Sequence, residues 1–383
     1  MTSQQLPAPI LITQPNSLRR AAETLSRAPL LAVDTESNSL YAYQERVCLI
    51  QFSIPGSDYL VDPLALADLS PLAPLFGDPR VEKIFHAAEY DLLCLNRDFG
   101  FEFKNLFDTM LAARILGREA IGLGSMLGDE FGVRLNKRYQ RANWGQRPLP
   151  PDLLDYARLD THYLIPLRER LKVALEAKGL WPLASEDFRR LGALRFEEGS
   201  ANPGEREGVN PWRVSGSYDL EPRQASVLME ICRYRDDKAR AMNRPLLKVI
   251  GDKTLLAIAE ALPASLAQLS RIQGMSASQV RRHGKQLLKA VRRGLESGPI
   301  YPPRSPRPDE GYIARLEALS EWRKLTARKM GVKSDVVLPR DLLQRLVEEH
   351  PHDARALART LHDTPWRLER FGDQILAVLK EKS

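Results

Sequence analysis

The sequence predicts an α/β domain followed by two all-α helical domains, and three observations carry that reading. Through the first half, apolar β-rich runs alternate with helix-like segments. Past about residue 210 the β signal largely disappears. The helical remainder then repeats itself. An offset of 88 positions aligns Tyr234-Arg235 with Trp322-Arg323, Ala239-Arg240 with Ala327-Arg328, Met242 with Met330, and Pro263 with Pro351. The same frame aligns Arg282 with Arg370, Gly284 with Gly372 and Leu287-Leu288 with Ile375-Leu376, without a gap. These are two copies of a unit of roughly 75 residues, too few for a solenoid, so each should bury its own core.

The elements follow in order. Residues 28–37 (APLLAVDTES) read as a buried strand, with 47–54 and 58–64 as its neighbours across the turn Pro55-Gly56-Ser57. A short strand at 83–85 runs into a helix that stops near Gly100. Another helix covers about 108–116, and one more follows the Pro148-Leu149-Pro150-Pro151 stop, from about Asp152 to Lys178. The Gly- and charge-rich stretch Gly199 to Asn210 reads as a linker, and Ser297 to Gly311, with five prolines, as an extended spacer. The expected domains are therefore 1–205, 212–296 and 310–383.

A chain of 383 residues that is 43% hydrophobic is too long for one ordinary core and too apolar for general disorder. No apolar run approaches the roughly 20 residues that cross a bilayer, and the N-terminus lacks a signal pattern, so a cytoplasmic protein without membrane contact is expected. Three scattered cysteines without a CxxC pair argue against a disulfide framework or a zinc site. The net charge of +7 is divided unevenly: residues 1–205 carry 23 Lys/Arg against 27 Asp/Glu, whereas 206–383 carry 33 against 22. A basic half attached to a slightly acidic one suits a polyanion gripped by the tail and processed by the head.

Three acidic elements bear chemistry. Asp34 and Glu36 lie two apart near the end of a strand, so both side chains point to one face and make a ready cation site. Asp91 opens a helix whose Leu92, Leu93 and Leu95 pack it on the sheet, placing the acid near the inner edge. Tyr156 and Asp160 are four apart on a helix and enter the same cleft. Together they supply four hard carboxylates and a phenol. A phosphodiester is cleaved efficiently between two divalent ions about 4 Å apart, which such a set could hold.

The series DTE, HAAEYDLLCL and YARLDTHYL resembles the three motifs of the DEDD exonuclease superfamily in its tyrosine-containing subgroup, over about residues 31–171. The segments around 217–291 and 315–379 resemble HRDC domains, and the whole arrangement is similar to the ribonuclease D family. The resemblance implies a ribonuclease-H-like fold with a mixed sheet and flanking helices. It implies a 3′-to-5′ exoribonuclease that releases nucleoside 5′-monophosphates, with two Mg²⁺ or Mn²⁺ ions as cofactors. Asp34, Glu36 and Asp160 would hold one ion, Asp34 would bridge to a second held by Asp91, and Tyr156 would position the nucleophile. The expected partner is RNA with a free 3′ end, tRNA precursors and other stable RNAs among them, bound by a monomer. Asn136 and Asn143 depart from the Asp of many relatives.

Substrate contacts are expected from His86, Gln51, Trp144 and Arg147, and from the basic loop Lys137, Arg138 and Arg141. His162, two beyond Asp160, points away from that face. Arg281, Arg282 and Lys285, with Lys289, Arg292 and Arg293, line a helix suited to anchoring RNA, whereas the second copy has mixed signs there. Tyr234 and Trp322 read as core. A DNA-directed exonuclease is the alternative, since the same acids serve both polymers, and a non-catalytic RNA-binding adaptor is a third reading. A helicase is excluded by the lack of GxxxxGK[ST], and no nucleotide cofactor is expected.

Overall fold

The structure, a computed structural model, describes residues 6–196, 209–303 and 309–381. Most of the expected linker Gly199 to Asn210, and part of the spacer Ser297 to Gly311, lie outside the described residues.

The α/β part runs β1 (Ile10–Ile12), α1 (Pro15–Leu25), β2 (Leu30–Ser37), β3 (Val47–Ile54), β4 (Ser57–Val61), α2 (Ala73–Gly77), β5 (Glu82–Phe85), α3 (Glu89–Phe99) and β6 (Leu106–Asp108). It continues through α4 (Thr109–Ile115), α5 (Leu123–Phe131), α6 (Pro151–His162), α7 (Leu164–Ala177) and α8 (Trp181–Gly192). The strands form one mixed sheet in the order β1-β4-β3-β2-β5-β6, with β2–β3 and β3–β4 antiparallel and the remaining pairs parallel. Leu31, Val33, Ile50 and Phe52 bury one face against Leu92 and Leu95 of α3, while Ala32, Ile84 and Phe107 bury the other against α4, α7 and α8. The single long helix expected over 152–178 is two. Pro166 has no N–H to give, and its ring crowds the carbonyl of His162, so the chain breaks at Tyr163.

The first helical copy comprises α9 (Pro222–Ala241), α10 (Leu246–Val249), α11 (Asp252–Ala261), α12 (Leu266–Leu269) and α13 (Ala277–Glu296). The second comprises α14 (Glu310–Met330), α15 (Ser334–Val337), α16 (Arg340–Glu349), α17 (Ala354–Thr360) and α18 (Pro365–Lys380). Each of the five pairs begins 88 residues apart. Detailed bonds repeat in the same frame: Arg235 donates to the Ile250 carbonyl and Arg323 to that of Leu338, and Leu262 and His350 end α11 and α16 in the left-handed region, at φ 47° and 43°. Each copy has its own apolar core. Tyr234 and Trp322 pack against those cores, as their spacing predicts.

Two compact units result. One joins residues 6–37, 47–196 and 309–381; the other joins 38–46 with 209–303. In the second unit the excursion between β2 and β3 lies on the first copy. There the Tyr43 hydroxyl donates to Asp236 at 2.9 Å and the Tyr43 amide donates to the Asn243 side chain at 3.1 Å.

In the first unit one substitution between the copies explains how the second packs on α8. Gln279 donates to the Val249 carbonyl at 3.2 Å, and its counterpart Arg367 makes the same bond to Val337 through Nε at 3.0 Å. The guanidinium then reaches Glu186 and Asp187 of α8, each at 2.6 Å, with Arg367 and Glu186 fully buried. Arg190 adds ion pairs to Asp341 and Asp363, and Val336 enters the core built by α4, α7 and α8.

Removing one partner of a buried pair strands the opposite charge in a low dielectric. Arg367→Met is therefore expected to destabilise the first unit by about 3–5 kcal/mol in a denaturant titration, whereas Gln279→Met in the first copy costs far less. Equal costs would contradict the account.

Candidate active site

Strand β2 sets the first two acids. Asp34 and Glu36 face the same side because side chains alternate along a strand, and antiparallel pairing with β3 puts Gln51 opposite Asp34 and Leu49 opposite Glu36. Helix α6, started at Pro151, crosses that face and buries Leu153, Tyr156 and Ala157 in a cluster with Leu49, Leu60 and Trp144. The four-residue spacing then aims Asp160 at the strand. Ligand oxygens of Asp34, Glu36 and Asp160 all lie within 4.8 Å of one another.

Asp91 comes from the other layer. It sits in the first turn of α3, whose Leu92 and Leu95 belong to the opposite core, and its carboxylate accepts from the hydroxyl of Thr35, the middle residue of DTE. It stands outside the cluster of three, yet its charge acts on both Asp34 and Glu36.

The electrostatics follow from crowding and burial. Among the described residues no Lys, Arg or His pairs with Asp34, Glu36 or Asp160. Burial, then the charges of Asp91, Asp160 and Glu36, raise the Asp34 pKa well above the usual carboxylate range, and burial followed by Asp160 and Asp91 does the same to Glu36. Burial pushes Asp91 and Asp160 up to about 7. Tyr156 is raised by burial and by the same three carboxylates, so its phenol keeps its proton. Hard oxygen donors, close together and uncompensated, fit a divalent cation.

Asp34, Tyr156 and Asp160 line a cleft of about 390 Å³ that also contains His86. Its facing wall is the N-terminal turn of α5 (Gly122, Gly124, Ser125) together with Leu135, Asn136 and Gln140.

Three expected substrate contacts are corrected. Trp144 is 2% exposed and tilts against the Tyr156 ring at 6.2 Å, so it supports that side chain and offers no free face to a base. Arg147 spends its fork on Asp62, at 2.6 and 2.7 Å, and on the carbonyls of Cys48, Trp144 and Gln146. It clamps the loop before α6. Gln51, across from Asp34 on the neighbouring strand, is fully buried and offers a substrate no accessible surface. His162 faces away from the acids, as its spacing predicts, and bonds Asp58 at 2.9 Å. Of the basic loop, Arg138 is exposed, with its guanidinium 5.6 Å from the Tyr139 ring. Arg281, Arg282 and Lys285 are exposed on α13 of the other unit.

Sequence reasoning missed Thr35 and Asp108. Asp108 caps α4 by accepting from Leu111 N at 2.9 Å, and it also accepts from Ala87 N at 3.2 Å and Ala88 N at 2.7 Å. That fixes the left-handed Ala87 (φ 64°) just ahead of Asp91. An Asp followed by an apolar helix was a legible capping signal; its second grip, 20 residues back, was not.

Three carboxylates gathered on one face of a mixed sheet, with a fourth acting on them from the helix on the other face, in a chain that also carries two helical repeats, are the arrangement of a 3′-5′ exonuclease. Residues 9–176 match the 3′-5′ exonuclease family, and residues 224–291 and 313–379 each match the HRDC domain. The chain is 31% identical over 369 residues to ribonuclease D of Pseudomonas paraeruginosa, covering 95% of this chain and 96% of that one. It is 33% identical to ribonuclease D of Escherichia coli over 73% of each. The crystal structure of that enzyme, described as an exoribonuclease involved in structured RNA processing, covers 98% of this chain and 99% of its own, with a TM-score of 0.68 at 26% identity. The catalytic core of RRP6 from Trypanosoma brucei covers 78% of this chain and 82% of its own, with a TM-score of 0.67 at 30% identity. The chain belongs to the ribonuclease D family of 3′-5′ exoribonucleases. The DNA-directed alternative falls with these matches. No helix among the described residues is long and apolar enough to cross a membrane.

The raised acids make stability depend on pH and metal. In the unfolded chain Asp91 and Asp160 titrate near 4; in the fold they hold protons up to about 7. Stability from the protonated acids is thus full below about pH 4 and is lost as pH rises through about 7. With EDTA present, the melting temperature is expected to fall between about pH 5 and pH 8, the more so relative to Asp160→Asn, and Mg²⁺ should raise it more at the higher pH. An equal Mg²⁺ effect at both pH values would contradict this.

Proposed function

We propose that Asp34, Glu36, Asp91 and Asp160 hold two divalent ions, Mg²⁺ or Mn²⁺, and that the chain hydrolyses RNA from a free 3′ end to nucleoside 5′-monophosphates. The observation that carries this reading is the meeting of three carboxylates, 126 positions apart from Asp34 to Asp160, with ligand atoms within 4.8 Å and no basic partner among the described residues. Bound cations would supply Lewis acidity to the phosphodiester and a lowered pKa to the attacking water. The protein's own groups do the rest. Asp34 and Glu36, fixed by strand pairing, and Asp160, fixed by α6, set where the reacting phosphate sits. Tyr156, protonated throughout, orients the attacking water by a hydrogen bond and cannot serve as its base. Precursors of tRNA and other stable RNAs, met in the cytoplasm by a monomer, are the substrates this reading favours.

Asp34→Ala and Asp160→Ala are each expected to abolish metal-dependent shortening of a 5′-labelled RNA, with RNA binding largely kept. Full activity in either variant would refute the assignment. Neutralising Arg281, Arg282 and Lys285 on α13 is expected to make the slope of log binding constant against log salt shallower by up to about 0.7 per lost single-strand phosphate contact, with turnover at saturating RNA little changed. An unchanged slope would remove α13 from the binding surface.

A further inference from the structure

His86 follows β5 directly and lines the same cleft as Asp34, Tyr156 and Asp160. Its ring is held from behind. Thr109 Oγ1 lies 3.1 Å from the Phe85 carbonyl oxygen and 2.9 Å from His86 Nδ1. A carbonyl can only accept, so the one hydroxyl proton of Thr109 is committed to Phe85. The hydroxyl then offers His86 only a lone pair, and the proton of that bond belongs to Nδ1. Burial disfavours the charged ring and lowers its pKa to about 4, so the imidazole is neutral at physiological pH. Nε2 is left as a bare acceptor with no protein partner among the described residues.

A bare acceptor selects what it can bind. Phosphate oxygens also accept, and the Nε2 lone pair repels them, which removes the phosphate contact expected of a cleft histidine. The donors an RNA end brings are base N–H groups, which change from base to base, and ribose hydroxyls, which do not. An enzyme that removes successive nucleotides needs contacts that ignore the base. Of the hydroxyls, the 2′ one separates RNA from DNA. We infer that His86 is a specificity-determining residue whose Nε2 accepts a hydrogen bond from the 2′-hydroxyl of the 3′-terminal nucleotide. The inference rests on the exoribonuclease reading above and adds to it the atom that recognises the sugar. Recognition depends on a donor hydrogen, so a 2′-fluoro end, of similar size but with nothing to donate, is as poor as a 2′-deoxy end.

The test uses the full chain with Mg²⁺ and one RNA sequence ending in ribose, 2′-deoxyribose, 2′-fluororibose or 3′-deoxyribose. For the unmodified protein, kcat/KM is expected to fall roughly tenfold from the ribose end to both 2′-modified ends, the scale of one lost hydrogen bond. In His86→Ala the ratio should fall toward one. A ratio unchanged in the variant overturns the inference, and so does a variant that loses discrimination only at the 3′-deoxy end. A second measurement is independent of turnover: nitrogen-15 shifts should show His86 protonated at Nδ1 and bare at Nε2 near pH 7, and the opposite tautomer overturns the inference. Failure of the unmodified protein to shorten the ribose-ended RNA would sink the nuclease reading and this inference together, whereas equal ratios with intact shortening sink only the latter.

Discussion

Asp34, Glu36 and Asp160 repel one another, and much of the α/β part is arranged to hold them together regardless. Antiparallel pairing of β2 with β3 fixes the first two on one face, and the burial of Leu153, Tyr156 and Ala157 holds α6 across that face so that Asp160 cannot retreat. The clamps behind these elements serve the same end. Arg147 ties the loop before α6 to Asp62, Trp144 backs Tyr156, and Asp108 pins the turn that presents Asp91. Residues that look from sequence like substrate contacts are thus part of the frame that keeps unneutralised acids in place. The energy held against that repulsion is what a cation would release on binding.

How much of this was legible depends on how far each signal travels along the chain. The two-residue spacing of Asp34 and Glu36 and the four-residue spacing of Tyr156 and Asp160 are local periodicities, and local periodicity converts directly into a shared face. Arg147 and Gln51 failed for the opposite reason. Whether a polar side chain meets substrate or protein is decided by partners far away, and Asp62 lies 85 positions from Arg147. Strands β1 and β6, at three residues each, are too short to show an alternation. The break at Tyr163 was readable in Pro166 and was overlooked because the apolar pattern continues through it.

The repeat shows how one helical design diverges into two uses. The frame of 88 residues preserves element starts, left-handed ends and the Arg235 and Arg323 bonds, so the fold of each copy is conserved between them. Surface charge is not. Exposed Arg281, Lys285 and Lys289 of α13 align with Glu369, Asp373 and Ala377 of α18 in the same frame. Gln279, which bonds only within its own copy, becomes Arg367, which bonds α8 as well. The basic half inferred from composition is therefore concentrated where a polyanion can use it, while the second copy spends its charge on packing.

The central claim is that Asp34, Glu36 and Asp160 form a cation site by their mutual position. Anomalous diffraction from crystals soaked in Mn²⁺ measures this most directly. The account expects a manganese peak bounded by carboxylate oxygens of all three residues and lost in Asp160→Asn. A fully occupied peak elsewhere in the protein, with none between these three side chains, would contradict it.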